Sequence, residues 1–143
     1  MSGKEQKIGE IIVEHSAKEG PLLPILHDVQ AEFGCVDAEA EMLIAAGLNL
    51  SRADIHGVVS FYHDFHQQAD PRPEVQICRA EACKARGVEA LIPAAEAAAG
   101  DRVKLSTVYC LGLCSVGPAA RLGNDMHARL TAEGLTKVIE NAR

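Results

Sequence analysis

The chain has 143 residues, room for one ordinary domain or two small ones, and its 48% hydrophobic share is enough for a real core. Aromatic residues make up only 3% and Trp is absent, so packing rests on Leu, Ile, Val and Ala, a composition that leans helical. A formal charge of -6 argues against a phosphate-binding surface, so no nucleic-acid partner is expected, and apolar runs such as "MLIAAGL" are far too short for membrane insertion.

In chain order, Ile8, Ile11, Ile12 and His15 recur at helical spacing, the stripe of a helix facing a core, with Gly20 and Pro21 predicted to end it. A second helix is predicted from Leu22 to Phe33, with Pro24 in the first turn and Gly34 as the stop. Asp37 is suited to cap a third helix carrying Met42, Leu43 and Ala46, with Gly47 closing it. "SRAD" gives Ser51 and Asp54 the spacing of a capping box, opening a fourth helix through Ile55, Val58 and Val59. The polar, proline-bearing "QQADPRP" then marks a boundary, giving a helical domain over residues 1–70 and a second domain over residues 71–143.

Beyond the boundary, "EVQIC" reads as a short strand, "VEALIPAAEAAAG" as a helix ended by Gly100, and "RVKLSTVYC" as a longer strand. "AARLG" and "MHARL", joined by "GND", read as a hairpin, and Thr131 is suited to cap a last helix. The order β-α-β then β-β-α is that of a thioredoxin-like layer. The predicted fold class is therefore α+β, an N-terminal helical bundle followed by a thioredoxin-like α/β domain. No targeting segment is visible, so a cytoplasmic location is expected.

Five cysteines, an odd number, in a chain read as cytoplasmic point to metals or catalysis rather than disulfides. Four of them form two pairs: Cys78 and Cys83 at C-x4-C, then, after 26 intervening residues, Cys110 and Cys114 at C-x3-C. Each pair follows a predicted strand, so if the two strands are parallel neighbours, four thiols meet at one edge of the sheet. Thiolates of this kind suit an iron-sulfur cluster or zinc, and spacing alone does not separate the two. Four unrelated buried thiols are the third reading, while the lack of any C-x-x-C argues against a thioredoxin-type dithiol.

"CRAEAC" and "CLGLCSVGPA" in the C-terminal half resemble the thioredoxin-like 2Fe-2S subunit of the NADH-dehydrogenase class. "LPILHDVQAEFGCVDAEA" and "GVVSFYHDF" resemble the helical domain that precedes the cluster in that family. Within it, "CRAEAC" is most similar to the gamma subunit of soluble, molybdenum-containing, NAD-dependent formate dehydrogenases, with the matching subunits of respiratory complex I and bidirectional hydrogenases as neighbours. The resemblance implies that Cys78, Cys83, Cys110 and Cys114 hold one 2Fe-2S cluster, the first pair on one iron and the second pair on the other. It also implies an electron-transfer subunit, not catalytic alone, beside a flavin and NAD-binding subunit and a molybdenum-containing catalytic subunit. FMN, the molybdenum cofactor and further Fe-S clusters would then belong to those partner chains.

Other residues invite a reading of their own. Arg79, Lys84 and Arg86 place positive charge beside the first pair, which raises a cluster's potential if they point inward. His56, His63, His66 and Asp64 cluster in "HGVVSFYHDFH", but the segment resembles a packing helix and its exit rather than a metal site. Phe61, Tyr62 and Phe65 read as core or interface anchors, and Cys35 as a buried thiol. His127 is no Rieske-type ligand, since that needs two histidines on one iron and all four cysteines are present. No G-x-G-x-x-G fingerprint occurs, so the chain by itself has no visible means of binding NAD.

Overall fold

The Ser2 hydroxyl accepts the Glu5 backbone N–H at 3.2 Å, satisfying one of the unpaired donors of a helix start, and α1 (Gly3–His15) follows. The structure, a computed structural model, describes residues 2–143. α1 stops at His15, short of Gly20 and Pro21, because the Ser16 backbone N–H and hydroxyl both bond back to the Val13 carbonyl and tighten the last turn. Next come α2 (Leu22–Phe33), stopped by Gly34 at a φ of 77, and α3 (Ala38–Leu48), whose first turn Asp37 caps by accepting the Ala40 N–H at 2.9 Å. Gly47 lies inside α3 rather than closing it; Asn49 in the left-handed conformation ends the helix. The reason Gly47 stands there is steric: a Cβ would come within 2.6 Å of Ile12 Cδ1, so its absence lets α1 sit close to α3. α4 (Arg52–Phe61) opens with the Ser51–Asp54 capping box complete.

The chain divides into two compact units, Met1–Pro71 and Arg72–Arg143. The first buries Ile8, Ile25, Leu26, Val29, Val36, Ile44 and Ile55 in one core. Two polar side chains join it, each with partners as burial requires. Glu41, only 2% exposed, lies 2.9 Å from His56 Nδ1 and 3.7 Å from Arg52 Nε. Buried His15 accepts from Lys18 at Nδ1 (2.7 Å), which leaves Nε2 to donate to Asp28 at 2.5 Å.

The second unit is a four-stranded mixed sheet in the order β2-β1-β3-β4. β1 (Glu74–Cys78) and β2 (Lys104–Val108) are parallel, with Cys78 opposite Val108; β1 and β3 (Ala120–Leu122) are antiparallel, as are β3 and β4 (Asp125–His127). A short helix absent from the sequence-based expectation, α5 (Glu81–Ala85), follows β1 and carries Cys83. The helix expected over 88–100 is split into a 3₁₀ turn, Val88–Leu91, and α6 (Ile92–Ala99), because Pro93 fits only the first turn of a helix. The strand expected over 102–110 is five residues long. Arg102 leaves the sheet to donate to the Ile139 and Ala142 carbonyls (2.7 and 2.6 Å), holding the end of α7 (Ala132–Asn141), and Cys110 at a φ of 103 cannot extend a strand. Thr131 caps α7 through the Gly134 N–H. Val75, Ile77, Val88, Leu135 and Ile139 form the core.

Candidate metal centre

Parallel pairing of β1 and β2 sends both chains out at the same end of the sheet. Cys78 is the last residue of β1, and Cys83 stands in α5, which starts just beyond it. Cys110 and Cys114 come from the loop after β2, where a 3₁₀ turn, Cys114–Val116, leads into Gly117. The four cysteines meet there. Cys78 shares a hydrogen bond with Cys83 and takes backbone N–H groups from Cys110 and Leu111, and Cys110 Sγ is 3.5 Å from Cys114 Sγ. Cys78 and Cys83 are buried, whereas Cys110 and Cys114 are exposed, so the site has an inner and an outer pair.

The backbone is shaped to the sulfurs. Gly112 N–H donates to Cys110 Sγ at 3.3 Å, and the Ala119 N–H points at the Cys83 sulfur. A Cβ on Gly117 would stand 2.9 Å from Cys83 Sγ, closer than real Cβ atoms come, so only glycine lets the main chain pass there. Cys110 is one of three non-glycine residues with positive φ among the described residues. That conformation costs about 1–3 kcal/mol and is tolerated where the surroundings fix it, typically at functional sites.

The thiols differ electrostatically. Burial pushes Cys78 up, but the N–H groups of Ala80, Cys110 and Leu111 and the Cys83 thiol outweigh it and hold Cys78 below the ordinary thiol value. Burial raises Cys83, and its Cys78 neighbour adds to that. Cys114 is raised chiefly by its hydrogen bond and like charge with Cys110. Four anions in such proximity repel one another, so the arrangement favours full ionisation only around cationic metal.

Four thiols with N–H donors aimed at their sulfurs fit an iron-sulfur cluster, whose sulfurs are tuned by such donors. Among the described residues, no three or more His, Cys, Asp or Glu side chains gather around a single-ion position. The cysteines stand as two close pairs, Cys78 with Cys83 and Cys110 with Cys114. His56, His63 and His66 line a surface cleft with Tyr62 and Phe65, and His56 is engaged by Glu41 and by Gln67 (3.2 Å). Phe65 is in the core and stacks tilted against His27, whereas Phe61 is 74% exposed. Cys35 is half-buried rather than fully buried, and His127 sits on β4 opposite Ala120. Sequence reading missed the positive φ of Cys110 and the N–H donors of Ala80 and Ala119, none of which has a residue-type signal.

The model of the thioredoxin-like [2Fe-2S] ferredoxin family matches residues 8–143, nearly the whole chain. The chain belongs to that family. Its membership implies one 2Fe-2S cluster. Curated relatives include the HndA subunit of the NADP-reducing hydrogenase of Solidesulfovibrio fructosivorans, 24% identical over 94% of this chain and 84% of the relative. A subunit of the NADH-quinone oxidoreductase of Rhizobium meliloti is 28% identical over 96% of this chain and 88% of the relative. Among solved structures, an air-oxidised NAD+-reducing [NiFe]-hydrogenase superposes with a TM-score of 0.70 at 27% identity, covering 83% of this chain and 22% of the hydrogenase chain. This family member therefore spans about a fifth of the hydrogenase chain it resembles. Among the described residues no helix is long and apolar enough to cross a membrane.

Proposed function

We propose that the chain is the one-electron subunit of a soluble, cytoplasmic, multi-subunit NAD-dependent formate dehydrogenase. Residues 1–70 and 71–143 are its two domains; Cys78 and Cys83 ligate one iron of its 2Fe-2S cluster and Cys110 and Cys114 the other. The observation that carries this reading is the meeting of two sulfur pairs, 26 residues apart in sequence, at one end of a parallel strand pair, one pair buried and the other open to a partner.

The cluster, when bound, takes up one electron at a time and gives it back. The protein supplies the rest. N–H groups of Ala80, Leu111, Gly112 and Ala119 favour negative charge on the sulfurs, and half-buried Leu111 and Leu113 pack between the ligand loop and the core. Tyr109, 76% exposed and adjacent to Cys110, offers an aromatic contact at the outer rim. The flavin and NAD-binding subunit docks over that rim and holds FMN; the molybdenum cofactor and further Fe-S clusters reside in the catalytic and other chains.

Formate rests on the likeness of "CRAEAC" to the gamma subunit. The hydrogenase and NADH-quinone oxidoreductase relatives favour a second reading, the matching subunit of one of those complexes. Purification of the native assembly decides: molybdenum and formate-dependent NAD reduction support the first reading, and a molybdenum-free, quinone-reducing or hydrogen-oxidising assembly replaces it with the second.

A further inference from the structure

The three cations beside the inner pair have different surroundings. Arg79 donates to Glu89 through Nε at 2.9 Å and Nη2 at 2.5 Å, so a carboxylate neutralises it. Lys84 on α5 and Arg86 are both exposed, and Lys84 has the same Glu89 as its acidic neighbour. Arg86, just beyond α5, has no acidic partner among the described residues, and its Nε donates to the Cys114 carbonyl at 3.1 Å. Its Cδ comes within 3.3 Å of the point where a Cβ would stand on Gly117, the same point Cys83 Sγ approaches to 2.9 Å. Arg86 thus leaves the helix that carries Cys83, crosses beside that cysteine's sulfur, and bonds the backbone of an outer cysteine.

We infer that Arg86 is a positioning residue for the cluster: it ties the outer ligand loop to the inner one and supplies the unneutralised positive charge that eases one-electron reduction. The inference rests on the four-cysteine 2Fe-2S reading. Reduction adds one electron and breaks no bond, so the site becomes more negative by one unit, and a fixed cation beside it favours that state. A guanidinium suits the task because it stays charged while donating to a carbonyl.

The test is an EPR-monitored reductive titration of the full-length chain with dithionite as electron donor, comparing wild type with Arg86→Gln, Arg86→Lys and Lys84→Gln. Arg86→Gln is expected to lower electron affinity about tenfold, a shift of about 59 mV for one electron. Arg86→Lys keeps the charge and should stay near wild type, and Lys84→Gln, which deletes the same charge two positions earlier, should shift less than half as far. Equal shifts in Arg86→Gln and Lys84→Gln, or no shift in Arg86→Gln, would overturn the inference. Should Arg86→Gln hold too little cluster to titrate, the tie between the loops is supported and Arg86→Lys decides the charge: a potential well below wild type overturns it. A wild-type chain that yields no 2Fe-2S signal sinks the proposed cofactor reading itself, an outcome distinct from all of these.

Discussion

Cys110 carries two burdens at once: an exposed thiol 3.5 Å from its neighbour's, and a backbone at a φ of 103 that side chains avoid. Cys110→Ala should abolish cluster loading, since thiolate ligation supplies folding free energy to its loop, whereas Cys35→Ala should leave the visible spectrum unchanged. A normal spectrum in Cys110→Ala removes this residue from the ligand set. Gly117→Ala should lower cluster occupancy several-fold while the chain still folds, because the new methyl group meets Cys83 Sγ at the ligand loop; iron content per folded chain measures it. Protonation gives a third expectation. Cys83 and Cys114 are both raised above the ordinary thiol value of 9.0, so in the metal-free chain they keep their protons through neutral pH and must lose them to bind iron. The initial rate of cluster assembly should therefore keep climbing as pH rises past about 9, and a profile that levels off below that value contradicts the upward shifts.

At the scale of elements, Asp37 joins two helices: it caps α3 and accepts Lys4 of α1 at 2.6 and 2.8 Å, with Lys4 also 3.0 Å from Glu39. Asp37→Ala should cost roughly 1–2 kcal/mol in urea unfolding, about one from the cap and a fraction from the half-exposed ion pair. The Lys4 side chain first, and then the Ala40 N–H, hold the Asp37 carboxyl below its usual value of 3.8. Its contribution is therefore present above that value and fades as pH falls through the lower folded-state value, so the Ala variant should show less acid sensitivity than wild type below about pH 4. Caps of this kind were legible in the sequence. Asp37, Ser51 and Thr131 each sit directly before an apolar-periodic run, and all three bond as the pattern predicts. Gly47 was not legible, since a glycine near a helix end reads as a stop, and only the approach of Ile12 from another helix reveals a packing role. Nor was α5, whose five residues are too few to show periodicity.

For the whole molecule, formal charge is divided unevenly. Met1–Pro71 holds twelve acidic and four basic residues, and Arg72–Arg143 eight acidic and ten basic. The overall charge of -6 thus hides a cysteine-bearing unit of slight positive balance, suited to a site whose thiolates and added electrons are negative. The order of the strands and the grouping of the cysteines in two pairs were legible because strand periodicity and C-x4-C and C-x3-C spacing are local. The division into buried and exposed pairs was not, because it depends on the backbone at Gly117 and Ala119, which leads into β3 on the side of β1 away from β2 and passes close to Cys83. Iron, zinc and acid-labile sulfide measured on the anaerobically purified chain test the central claim most directly. Two irons and two sulfides per chain, with a visible band that dithionite bleaches, are the predicted result; one zinc per chain and no sulfide would contradict it.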